Sequence, residues 1–116
     1  MEQTNRTVGE TTEGGAPLDP GVYAITNTET GRVLIGSTMN LMAVGNNLKL
    51  ARSHGITGVL DPRLLPDWAR FGADAFTFRV LDRLAPDVAS SEQGLQTELT
   101  LLQTMWQEKL AEESQY

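Results

Sequence analysis

The chain has 116 residues and a net charge of −6, with 40% hydrophobic and 21% charged side chains, the length and balance of one globular domain. It has no cysteine and only one histidine, His54, which excludes disulfides, thiolate catalysis and Cys-based or multi-His metal centres. No apolar run approaches the roughly 18 residues of a membrane span, and residues 1–16 lack the apolar stretch of a secretory signal, so no membrane partner and a cytoplasmic location are expected.

Residues 1–16 are rich in Thr, Glu and Gly, set Arg6 against Glu2, Glu10 and Glu13, and read as a disordered polar leader. A single domain is expected over 17–112, entered at Pro17 and Pro20, with a short tail over 113–116. Gly21-Val22-Tyr23-Ala24-Ile25-Thr26 has the β-branched and aromatic content of a strand. A turn over Asn27–Gly31 leads to a return strand, Arg32–Gly36, completing a hairpin. Leu41, Val44, Leu48 and Ala51 recur at helical spacing, with Asn40 as N-cap and Gly55 as stop. Gly45 weakens that helix by about 1 kcal/mol relative to Ala.

Asp61-Pro62 opens a second helix, which runs to about Arg70, presents Leu64, Leu65 and Trp68, and ends at Gly72. Phe76, Phe78 and Val80 alternate along a third strand, and Leu84–Ser91 is a linker. The last helix spans Ser91–Leu110, with Leu95, Leu99, Leu102, Trp106 and Leu110 as its apolar stripe. The order β-β-α-α-β-α predicts a small α+β domain, a three-stranded antiparallel sheet flanked by helices. Charge is balanced in the middle of the chain and acidic at its end. Residues 85–116 set Lys109 against Asp87, Glu92, Glu98, Glu108, Glu112 and Glu113. Phosphate binding would require a basic stripe, and none stands out.

The hairpin carries Gly21-Val22-Tyr23 and, eleven residues after Tyr23, Leu34-Ile35-Gly36. Downstream come Ser37-Thr38-Met39-Asn40-Leu41, then Leu60-Asp61-Pro62, Leu65, Asp67, Trp68, Phe71, Gly72, Ala75, Phe76 and Phe78, and finally Trp106 with Leu110. In this order, over residues 20–110, the series resembles the GIY-YIG nuclease family. The resemblance implies metal-assisted phosphodiester hydrolysis by a fixed set of groups. These are a tyrosine on each of the first two strands, an arginine and a histidine on the first helix, and a glutamate on the last helix that holds Mg²⁺ or Mn²⁺.

Carried over by position, the first tyrosine is Tyr23. The second tyrosine is Leu34, the arginine is Val44, the histidine is Leu48 and the glutamate is Gln103. Losing one oxyanion-type stabiliser costs about 2.7–4 kcal/mol of barrier. Here both the guanidinium and the metal carboxylate are replaced, so no intact catalytic set and no cofactor are expected. Arg52, Lys49 and Glu98 lie too far along their helices, or on the wrong side, to stand in.

The expected function is therefore a degenerate GIY-YIG-like domain that works by binding a protein partner, a second copy of itself or nucleic acid. Arg32, Lys49 and Arg52 are the candidates for a small basic, nucleic-acid-binding surface. Two alternatives stand beside this reading: an atypical metal-dependent endonuclease, and a small-molecule site in an apolar pocket at Tyr23, Leu34 and Val44. Leu34, Val44 and Leu48 fit either such a pocket or a core that has closed over the site. Trp68 and Trp106 sit in apolar helical patterns and read as core, and His54 reads as a solvated loop residue.

Overall fold

The computed structural model describes residues 18–85, 87 and 89–116; the expected leader lies outside them. Strand β1 (Gly21–Asn27) is central, between β2 (Val33–Thr38) and β3 (Phe76–Arg83), and both pairings are antiparallel. The fold is α+β, as the element order predicts. Strand alternation sorts side chains between two faces. Tyr23, Ile25, Leu34, Phe76 and Phe78 share one face with helices α1 (Leu41–His54) and α2 (Leu65–Phe71). Val22, Ala24, Val33 and Ile35 form the other, covered by Leu102 and Trp106 of α3 (Glu92–Lys109) and by Leu110 just past its end.

The helix boundaries follow local chemistry. Asn40 accepts from the Ala43 amide at the start of α1, and Gly55, at φ 69°, ends it. Ser91 accepts from the Gly94 amide at the start of α3. The second helix departs from expectation. It begins as a 3₁₀ turn, Pro62–Leu64, before α2 takes over at Leu65. Pro66 is the reason: it has no N–H to donate to the Pro62 carbonyl, and its ring crowds that oxygen. β3 outlasts the expected strand and reaches Arg83 through a bulge opposite Val22 and Tyr23.

Residues 113–116, expected as a tail, run beside β2. The Val33 N–H donates to the Ser114 carbonyl at 2.8 Å, and the Tyr116 N–H donates to the Val33 carbonyl at 3.0 Å. Tyr116 then reaches between the hairpin and α2. Its hydroxyl donates to Asp67 at 2.7 Å and accepts from fully buried Asn27 at 3.2 Å. Among the described residues, no helix is long and apolar enough to cross a membrane.

Candidate functional site

Tyr23 is half-buried on β1, its ring 5.9 Å from that of Phe78. Gly36 faces it from β2, and a Cβ there would sit 2.5 Å from the Tyr23 hydroxyl oxygen. The glycine of the second tripeptide thus makes room for the tyrosine of the first. Burial pushes the Tyr23 pKa above its ordinary value, and the Asp61 carboxylate adds to the rise while Arg63 opposes it. At neutral pH the group is a neutral phenol, able to donate a hydrogen bond.

Asp61 and Arg63 form an ion pair beside Tyr23. Arg63 Nε donates to Asp61 Oδ1 at 3.0 Å and Nη2 to Oδ2 at 2.8 Å. The hydrogen bond from Arg63 is the main cause that holds the Asp61 carboxyl below its ordinary range. The sequence marks Asp61 as a helix start and as part of the resembling series but gives it no role beside Tyr23, and does not place Arg63 here at all. The closeness of both to Tyr23 is tertiary and leaves no local signal.

The other mapped positions divide. Leu34 is 1% exposed and Leu48 is 3% exposed, both within the core around Ile25, Leu64, Trp68 and Phe76. Val44 is half-buried against the same core. Leu34 and Leu48 are thus part of the core, Leu48 also bordering a hollow beside α1, and Val44 packs against it. Gln103 is elsewhere. Its Nε2 donates to the Ile35 carbonyl at 3.2 Å, and its Oε1 accepts from Ser37 Oγ at 2.7 Å. Ile35 belongs to the face under α3, so the sheet separates Gln103 from Tyr23, Leu34, Val44 and Leu48.

The three basic residues do not form one surface. Arg32 stacks on the Tyr116 ring at 4.1 Å and lies 3.7 Å from Asp67, on the β2 side of the sheet. Arg52 and Lys49 lie at the opposite edge, beside β3, where Arg52 donates to the Phe76 carbonyl at 2.6 Å. A hollow of about 530 Å³ opens between α1 and β3, and neither Tyr23, Leu34 nor Val44 lines it.

Trp68 is buried and stacks on Phe76 at 5.0 Å, which accounts for it as core. Trp106 packs against the face under α3 and donates to Asp82 at 3.3 Å. Searches among known protein families, characterised proteins and solved structures find no match to this chain.

Proposed function

We propose that this chain is a non-catalytic domain on the GIY-YIG pattern that acts by binding, with a protein partner or a second copy favoured over nucleic acid. The observation that carries the reading is the burial of Leu34 and Leu48 where the resemblance implies a working tyrosine and histidine. A catalytic group must meet its substrate, and these two side chains meet the core. Val44 supplies no guanidinium. Arg63, which acts on the ionisation of Tyr23, is already bound to Asp61 through its Nε and Nη2 edge. The charge of −6 further disfavours a phosphate backbone as partner.

The test is fluorescence anisotropy of a labelled DNA duplex at low and moderate salt with Mg²⁺, run beside a plasmid-nicking assay. No salt-sensitive binding and no nicking is the expected result. Binding that weakens steeply with salt would reassign the surface to nucleic acid. Nicking that disappears in Tyr23→Phe would overturn the non-catalytic reading.

A further inference from the structure

The two edges of the sheet are finished differently. Asn27 turns its N–H toward β2, where it donates to the Arg32 carbonyl. By antiparallel alternation, Val33, Ile35 and Ser37 then present their amides and carbonyls outward from β2, and Phe76, Phe78 and Val80 do so from β3. The β2 edge is occupied: Ser114 and Tyr116 pair with Val33, and Gln103 takes the Ile35 carbonyl. On β3 the Phe76 carbonyl is taken, by Arg52. Among the described residues, no strand lies beyond β3, and no side chain bonds the outward groups of Phe78 or Val80.

The hollow lies along this open edge. Phe78, Val80, Leu41 and Leu48 give it an apolar floor, and Met42, 65% exposed, stands at its lip. Gly45 lies on the α1 wall, where a Cβ would approach Phe78 to 3.4 Å. A mid-helix glycine weakens a helix, and here its bareness keeps the groove open. Lys49, Arg52 and Arg83 line the hollow against a single carboxylate, Asp19, which pairs with Arg83. Among the described residues, neither Lys49 nor Arg52 is in an ion pair. An acidic protein thus presents a positive groove beside unpaired strand groups. From Leu41 to Arg52 the α1 wall runs about 16 Å, matching roughly five residues of extended chain.

We infer that this groove receives an extended acidic segment of a partner protein, which adds to β3 as a fourth strand. Its backbone bonds the outward groups of Phe78 and Val80. The side chains it turns toward α1 include both kinds, an apolar one against Phe78, Val80 and Met42 and a carboxylate against Lys49 and Arg52. Strand addition of this kind takes affinity from main-chain bonds and selectivity from the flanking side chains. The inference rests on the reading of the chain as a binding module and names its partner class.

The experiment titrates the full chain with a soluble peptide of three Glu-Thr-Val-Thr repeats, which puts glutamate and valine on one face of a strand, and follows amide exchange by NMR. Slowed exchange at the Phe78 and Val80 amides is expected. Lys49→Glu should weaken binding about tenfold, because an attraction becomes a repulsion. Gly45→Leu should fill the groove and abolish binding with no loss of thermal stability. The same peptide with lysine in place of glutamate, and one with proline in place of threonine, should not bind.

Absence of protection at Phe78 and Val80, or equal binding of the lysine peptide, overturns the inference. If the two amides are already protected without peptide, and Glu10→Lys with Glu13→Lys releases them, the chain's own first residues fill the groove and the partner is excluded. Protection that grows with protein concentration assigns the edge to a second copy, with the same consequence. Nuclease activity lost in Tyr23→Phe would remove the binding-module reading while leaving the peptide result to stand or fall by itself.

Discussion

Gly21 and Gly36 open and close the two tripeptides that mark the hairpin, and packing alone requires both. A Cβ on Gly21 would collide with the Leu41 side chain of α1 and with the Asp82 carbonyl of β3, a backbone group that cannot move without shifting the bulge. A Cβ on Gly36 would meet the end of the Tyr23 ring, which can tilt away. Both alanine variants should unfold at lower urea concentration, Gly36→Ala by about 1–3 kcal/mol and Gly21→Ala by more. The two tyrosines give a pH dependence. Burial is the leading cause that raises the pKa of both Tyr23 and Tyr116, and the Asp67 hydrogen bond adds to the rise at Tyr116. The unfolded chain therefore releases these protons first. The stability they contribute is complete below the ordinary phenol value of 10.0 and is lost as the pH rises through the folded values. Urea midpoints should fall as the pH rises above about 10, and Tyr23→Phe should make that fall shallower.

Exposed strand edges invite unwanted pairing, and this domain covers part of each with a side chain from a helix. Gln103 takes the Ile35 carbonyl of β2, and Arg52 takes the Phe76 carbonyl of β3. Gln103→Glu would keep the bond from Ser37 but turn an acceptor toward the Ile35 carbonyl. The variant should lose about 1–3 kcal/mol at neutral pH. Its carboxyl should have a raised pKa in the folded state, so the deficit in melting temperature against the parent should narrow as the pH falls and the group is protonated.

Elements governed by adjacent residues were readable in advance. Asn40 and Ser91 start helices, Gly55 and Gly72 end them, and the alternation around Tyr23 and Phe78 marks strands. What depended on distant partners was not. Gln103 reads as one more polar residue on a helix until Ile35 is beside it. Arg32 reads as a free cation until Tyr116, remote in the chain, slides under it. The positions mapped from the tripeptides were assigned along the sequence, and sequence order does not say which side of the sheet a helix covers.

That two-sidedness governs the whole molecule. One sheet divides two cores, and each strand of the hairpin supplies both: Ile25 and Leu34 to one, Val22 and Ile35 to the other. Leu64, fully buried on the 3₁₀ turn, belongs to the first, while Leu99, 1% exposed, is held on α3, which covers the second. With separate sheets, losing one core would leave the other standing. Here the strands are shared, and Tyr116 ties the end of the chain back to Asn27 of β1 and Asp67 of α2. Neither face can be released without stripping apolar surface from the same backbone ladder. Leu64→Ala and Leu99→Ala should therefore each cost about 2–5 kcal/mol. Both should unfold in one transition with the parent's urea dependence, followed identically by circular dichroism and by the fluorescence of Trp68 and Trp106. These two indoles report on opposite faces, so separate midpoints would mean that α3 detaches while α1 and α2 hold the sheet. Coincident midpoints would mean that any partner bound at the β3 edge stabilises the whole domain, because that edge belongs to the sheet on which both cores depend.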